Sequence, residues 1–279
     1  MNTILITGAS SGFGKEAARS FLDAGWNVIA TMRTPNPAAL GVTDAARVLV
    51  TRLDLEDSAS IDAAIAAGIA AFGGIDVVLN NAGYGLFGMF EATARSAIEK
   101  QFATNVFGTM DVCRAILPHF RSRRAGTIIN VSSGAGVIGF PMASLYSASK
   151  FALEGFSESL SWELAALGIK VKIIEPGGAP QTGFMARVGA EAAGANPIAD
   201  YGPFAEHMGQ LYAGMGAAAD PDAVNKVVAA IVAAATDGTS QLRYTPTSDI
   251  LPLLDARRGT SEAHYRALTT GMFAAPSAG

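Results

Sequence analysis

Thr3-Ile4-Leu5-Ile6-Thr7-Gly8-Ala9-Ser10-Ser11-Gly12-Phe13-Gly14-Lys15 carries a short apolar run into three closely spaced glycines, and a helical pattern then continues to about Ala24. A short apolar run closed by a turn signal reads as a buried strand. Strand, glycine turn and helix together can cradle a phosphate. The glycines permit a tight turn and close backbone approach, and the helix N-terminus offers free N–H groups at its positive end. The spacing is G-x-x-x-G-x-G rather than the common G-x-G-x-x-G. It is not a P-loop either, because Glu16 stands where a Mg²⁺-binding hydroxyl is needed and Ala9 where the first P-loop glycine belongs.

Further strands are expected at Asn27 to Thr31, Val48 to Leu53, Asp76 to Leu79, Thr127 to Val131, Lys170 to Ile174 and Gln241 to Tyr244. Helical patterns separate them at Ser58 to Phe72, Ser96 to Phe102, Val106 to Phe120, Tyr146 to Leu167 and Ala223 to Ala235, with Asn105 between the second and third of these. This alternation implies an α/β fold, a Rossmann-type doubly wound parallel sheet of about seven strands with helices on both faces. Ligands in such sheets bind beyond the strand C-termini. The glycine turn, Arg33, Asp54, Asn80, Ser133 and Pro176 all fall there. No linker or repeat interrupts residues 1–279, so one domain is expected. Residues 179–219, rich in Gly and Ala and carrying Phe184, Met185, Tyr212 and Met215, read as a substrate lid or as an ordinary packed insertion. A C-terminal extension starts at about Asp249 and includes a helix near Glu262 to Thr269.

The second strand bears on the cofactor. A dinucleotide site places an acid near its end to bond the ribose 2′-OH of NAD. Here no acid lies between Asp23 and Asp44, and Arg33 stands where a 2′-phosphate would lie, which favours NADP(H) over NAD(H). Asp54, after the third strand, can bond an adenine amino group or cap the next helix. Asn80-Asn81-Ala82-Gly83 is a small polar turn suited to supporting a cofactor from below.

Tyr146-Ser147-Ala148-Ser149-Lys150 supplies chemistry. Four residues apart on a helix, the Tyr and Lys side chains share a face. An ammonium beside a phenol lowers its pKa from about 10 and makes it a usable acid–base group.

The remaining composition excludes other classes. Half of the 279 residues are hydrophobic, 16% are charged, and the net charge is −4, which suits a large core and argues against nucleic acid as a partner. The basic cluster Arg121 to Arg124 reads as cations at a helix C-terminus. Cys113, the single cysteine, reads as a buried thiol in a reducing, cytoplasmic setting. His119, His207 and His264 make no metal-ligand pattern, no signal peptide is visible, and no apolar run is long enough to span a bilayer.

Taken together, Thr7-Gly8-x-x-x-Gly12-x-Gly14, Asn80 to Gly83, Asn105, Ser133, Tyr146-x-x-x-Lys150 and Pro176-Gly177 resemble the short-chain dehydrogenase/reductase family, over roughly residues 2 to 245. Ala30 to Arg33 and Glu175 to Gly178 are similar to members acting on hydroxysteroids and retinol. The resemblance implies that Tyr146 exchanges the proton of a carbonyl or alcohol. Lys150 would bond the nicotinamide ribose and depress the Tyr pKa. Ser133, thirteen positions before the Tyr, would bond the substrate oxygen, and Asn105 would hold a relay water. Cofactor contacts are implied for Gly8, Ser10, Ser11, Gly12, Phe13 and Gly14. They are also implied for Arg33, Asp54, Leu55, Asn81, Ala82 and Gly83, and for Pro176, Gly177 and Thr182. The family places a Thr shortly after Pro-Gly, and here the segment before Thr182 is one residue longer and stiffened by Pro180.

Substrate contacts are expected from Ser133, Ala135, Phe140, Tyr146, Gly178, Phe184 and Met185. Arg187 is a further candidate for gripping an acidic group. The lining is otherwise apolar, which suits a neutral, rather hydrophobic ketone, aldehyde or secondary alcohol. The expected activity is an NADP(H)-dependent alcohol dehydrogenase or carbonyl reductase, in a homodimer or homotetramer. A catalytically silent nucleotide sensor with the same fold is the alternative. A methyltransferase fails because its chemistry has no use for Tyr146 and Lys150.

Overall fold

The computed structural model describes residues 1–41, 46–184, 188 and 198–274. Seven strands form one sheet: β1 Thr3–Ile6, β2 Asn27–Met32, β3 Val48–Arg52, β4 Val77–Asn80, β5 Gly126–Val131, β6 Ile169–Ile174 and β7 Arg243–Tyr244. Their order is β3-β2-β1-β4-β5-β6-β7, and every pairing is parallel. The order reverses between β1 and β4, where a crevice opens at the strand C-termini. Ile6 pairs with Ala30 on one side and Leu79 on the other. β1, β2 and β4 are buried throughout, as an inner strand covered on both faces must be, so they read as continuous apolar runs.

Two apolar layers cover the sheet. On one face α1 (Gly12–Asp23) and a later helix pack Phe21, Trp26, Val227 and Ile231 against Ile4, Ile6 and Val28. On the other, Ile61 and Ile65 of α2 (Ser58–Phe72) join Ile116 and Phe120 of the central helix and Leu160 and Leu164 of the long one. Phe21 and Phe120 are fully buried, each worth roughly 2–3 kcal/mol of transfer free energy. Asp57 caps α2 by accepting from Ser60 N, so the capping role open to Asp54 belongs to Asp57.

The two helices expected around Asn105 are one continuous helical run. α3 (Arg95–Phe102) passes through a π-turn at Ala103–Gly108 into α4 (Thr109–Arg123). The widened turn absorbs an extra residue without breaking the run, and such turns cluster at functional sites. Arg121 and Arg123 do lie in the last turn of α4. Arg123 also donates to Ile75 O (2.8 Å) and pairs with Asp76 (2.8 Å). Cys113 is buried among Asn80 and apolar side chains, and burial pushes its thiol up to about 12.

α5 is Ser144–Ala165, α6 Gly202–Ala217 and α7 Ala223–Thr236. The C-terminal segment adds α8 (Leu251–Gly259) and α9 (Glu262–Phe273). Ile250, Leu253, Leu254 and Tyr265 form a third cluster with Ile138, Val137 and Phe140, so this segment packs on the loop after β5. Among the described residues no helix is long and apolar enough to cross a membrane, and no three His, Cys, Asp or Glu side chains converge as metal ligands.

Candidate active site

Gly8 (φ +69°) and Gly12 (φ +55°) take the left-handed conformation that the turn between β1 and α1 requires. The loop after β4 fixes that turn. Asn81 Nδ2 donates to Thr7 O (3.0 Å) and Gly8 O (3.2 Å), while the Thr7 hydroxyl accepts from the amides of Asn81 and Ala82 (both 3.0 Å). A Cβ on Gly14 would stand 2.5 Å from Asn81 Nδ2 and from Gly8 O. Ser10 and Ser11 are exposed at the rim. Ser11 makes no side-chain cap bond, and no acid sits in the first turn of α1. The amides of Gly12, Phe13 and Gly14 therefore lack the usual side-chain cap, which fits a pyrophosphate at a positive helix end.

Around this cradle, Met32 is buried at the end of β2 and Arg33 is exposed beside it. Asp54 Oδ1 accepts from Glu56 N (3.2 Å), and Leu55 packs so tightly on Gly108 that a Cβ there would lie 2.5 Å from it. Gly83 sits where a Cβ would meet Asn105 Oδ1 at 3.1 Å and Lys150 Nζ at 4.0 Å, so these two polar groups converge on one glycine.

β5 ends at Val131, and the chain turns through Ser132 and Ser133. The Ser133 hydroxyl accepts from Ala135 N (3.1 Å) and also faces the Tyr146 phenol. Ser132 is directed instead towards Glu154, which separates the two serines as their spacing from Tyr146 implied. Tyr146 and Lys150 lie in the first turns of α5, both buried. Lys150 Nζ donates to Val131 O (2.7 Å) and lies 5.9 Å from the Tyr146 ring centre. Burial pushes the Tyr146 phenol up to about 12, with the Ser133 hydroxyl working the other way, and pushes the Lys150 ammonium down to about 8. The expectation of a phenol depressed by its lysine is thus corrected: desolvation dominates and both groups are driven towards their neutral forms. Asn105 is also more occupied than expected. Its Oδ1 accepts from Tyr84 N (3.1 Å), and its Nδ2 donates to Tyr84 O (2.8 Å) and Ser149 Oγ (3.2 Å).

Aromatic rings cover Tyr146. Phe184 lies 5.5 Å from its ring centre and Phe87 5.7 Å, and Tyr212 of α6 stands edge-on to Phe87 at 6.1 Å. The Tyr212 hydroxyl donates to Pro141 O (2.6 Å). A Cβ on Gly85 would come within 2.5 Å of Phe184. Ala135 is buried beside Ser133, whereas Phe140 makes its ring contact with Phe273 (5.9 Å) and belongs to the third cluster. Met185 and Arg187 lie outside the described residues, as does much of the stretch between Phe184 and Ile198. Pro176 O accepts from Gly134 N (2.8 Å), next to Ser133, and Thr182 lies 3.6 Å from a Cβ position on Gly12. The Thr182 hydroxyl donates to Ala179 O (2.8 Å). The residues after β6 therefore run from the serine to the glycine turn. Sequence reasoning missed Phe87 and the buried Glu154 and gave the buried Glu175 no role of its own, because a lone aromatic or acid carries no pattern.

The family model for short chain dehydrogenases matches residues 2–193. The chain belongs to the short-chain dehydrogenase/reductase family. A family member from Schizosaccharomyces pombe, named only as an uncharacterized oxidoreductase, is 42% identical over 78% of this chain and 89% of its own length. Retinol dehydrogenase 8 from Homo sapiens is 37% identical over 63% of this chain and 58% of that protein. A short-chain dehydrogenase from Streptomyces avermitilis superposes with a TM-score of 0.75 at 33% identity, covering 97% and 94% of the two chains. Among other solved members, ElxO holds NADP (26% identity, TM-score 0.72, 90% of this chain and 99% of that one). A 3-ketoacyl-(acyl-carrier-protein) reductase from Brucella melitensis holds NADH (30% identity, TM-score 0.59, 63% and 75%). The protein is an oxidoreductase of this family.

Proposed function

We propose that this oxidoreductase is an NADP(H)-dependent carbonyl reductase or alcohol dehydrogenase acting on a neutral, rather hydrophobic substrate. The observation that carries the reading is the convergence of Ser133, Tyr146 and Lys150 at the strand C-termini, joined to the glycine turn by the segment from Pro176 to Thr182. A bound nicotinamide dinucleotide supplies or accepts the hydride. The rest falls to the chain. Gly8, Gly12 and Gly14 admit the pyrophosphate, and the exposed Arg33 pairs with a 2′-phosphate. Ser133 donates to the substrate oxygen and holds it against the phenol. Tyr146 gives its proton to a carbonyl oxygen in reduction and takes it back from the alcohol in oxidation. Lys150 sits behind the phenol and, when protonated, offsets the phenolate left after transfer.

Phe87, Phe184 and Tyr212 make the entrance apolar, and α6 together with Phe184 acts as its lid. Phe151 and Trp162 on α5, and Phe107 in the π-turn, are exposed and support a homo-oligomer built through these helices.

Tyr146→Phe tests the mechanism. NADPH oxidation against a panel of hydrophobic ketones and aldehydes should fall by a factor of roughly 10² to 10⁴ with little change in NADPH affinity. Unchanged turnover would refute it.

A further inference from the structure

The ladder between β6 and β7 does not stop where the strands do. Ile173 N donates to Leu242 O (2.7 Å) and Glu175 N to Tyr244 O (2.8 Å). In a parallel pair the same strand donates at every second residue, so the next donor is Gly177 N. It is met by a side chain: Thr247 Oγ1 accepts at 2.8 Å. One residue on, Gly178 N donates to Asp249 Oδ2 (2.7 Å). The approach is close enough that a Cβ on Gly177 would stand 2.3–2.5 Å from the Asp249 carboxylate. The same C-terminal stretch holds the residue before this loop. The fully buried Glu175 carboxylate accepts from Arg258 (2.5 and 3.1 Å) and from the Thr245 hydroxyl (2.9 Å), and pairs with Arg243 (3.3 Å).

Residues 245–258 thus grip positions 175, 177 and 178 in turn. The gripped loop is the one that bonds Gly134 beside Ser133 and continues to Thr182 over Gly12. It follows the line between the proton-handling residues and the phosphate cradle. Pro176 is tied through its carbonyl to Gly134 on the β5 side, and on the other side the Gly177 and Gly178 amides are held by the two side-chain acceptors.

We propose that Thr247 and Asp249 are positioning residues that fix the Gly177–Gly178 segment as the wall holding the nicotinamide end of the cofactor against Ser133 and Tyr146. The inference rests on the oxidoreductase reading above. It assigns the C-terminal extension a part in the reaction that its distance along the chain from Tyr146 and Lys150 conceals.

The test uses the full-length protein and two pairs of variants. Thr247→Val removes the acceptor and Thr247→Ser keeps it. Asp249→Ala removes the carboxylate and Asp249→Asn keeps an acceptor oxygen. Dissociation constants are measured for NADPH and for 2′,5′-ADP, which has the adenosine half and no nicotinamide, together with kcat and melting temperature. Thr247→Val and Asp249→Ala should lower kcat about tenfold and weaken NADPH several-fold, on the scale of one lost hydrogen bond, while 2′,5′-ADP binds as before. Thr247→Ser and Asp249→Asn should recover most of the loss. Should Thr247→Val fail to fold, the exposed Asp249 carries the test. Unchanged kcat and NADPH affinity in the acceptor-less variants, or equal weakening of both ligands, would overturn the proposal in an active wild type. A wild type that neither binds NADPH nor turns over would overturn the NADP(H)-dependent reading on which the inference rests, and the positioning role with it.

Discussion

Replacing Lys150 with Met should change how stability depends on pH, with a sign set by the burial of the ammonium and a size of about 2 kcal/mol. Burial holds the Lys150 ammonium at about 8 in the folded protein against 10.5 for an ordinary lysine. The folded pKa lies below the unfolded one, so between about pH 8 and 10.5 the folded chain binds fewer protons than the unfolded chain. Stability therefore rises with pH through that window, and the cost of burying the charge is complete below it. A gap of about 2.5 units corresponds to about 3 kcal/mol at neutral pH, of which about 2 kcal/mol is regained between roughly pH 7 and 9.5. In Lys150→Met the group is gone, and the loss of the donor to Val131 O is an offset that does not vary with pH. Urea denaturation of the cofactor-free proteins across that range should show wild type gaining about 2 kcal/mol on the variant. Parallel curves would refute the reasoning, since they would mean Lys150 keeps an ordinary pKa despite its burial.

Gly14→Ala should destabilise the protein by about 1–3 kcal/mol in equilibrium denaturation, because the new Cβ collides with Asn81 and the Gly8 carbonyl. In a helix without that collision the same change would stabilise by about 0.5–1 kcal/mol, so the sign decides. Arg33→Asp should shift the NADP/NAD ratio of kcat/KM towards NAD by at least about tenfold, as expected when a charged hydrogen-bond partner of the 2′-phosphate is replaced by a repelling acid. An unchanged ratio would make Arg33 a bystander. Phe184→Ala should raise KM for apolar ketones about tenfold, the scale of one aromatic contact and its buried area, with NADPH affinity unaltered. Equal loss for small polar aldehydes would show that Phe184 does not select substrate.

The parallel sheet was legible because each inner strand is an unbroken apolar run and each helix an amphipathic one. These are local patterns set by two-sided burial. Tyr146 and Lys150 shared a helix face by their spacing alone, whereas Ser133 and Asn105 stood out only through the family resemblance, which no local periodicity carries. The π-turn was not, since the weak helix formers between Ala103 and Gly108 suggest a break between two helices rather than a widened turn within one run. The direction of the Tyr146 shift was misread for a related reason: spacing reveals the neighbouring lysine but not the depth of burial that outweighs it. Nor was Phe140 legible as a member of the third cluster. Its partner, Phe273, stands more than a hundred residues away in sequence, a pairing no local pattern encodes.

The first strand made is the middle of the finished sheet. β1 lies between β2 and β4, and Thr7 meets Leu79 across 72 positions of chain. On a ribosome adding about 5–20 residues per second, the glycine turn exists for some seconds before Asn81 arrives to set its shape. Over that interval Ile4 to Ile6 is an apolar strand with one edge open. The cradle therefore takes its finished shape only after Asn81 reaches Thr7 and Gly8. It becomes available only once the first long crossover has closed, and the interval before that is when the nascent protein is most exposed to wrong pairing.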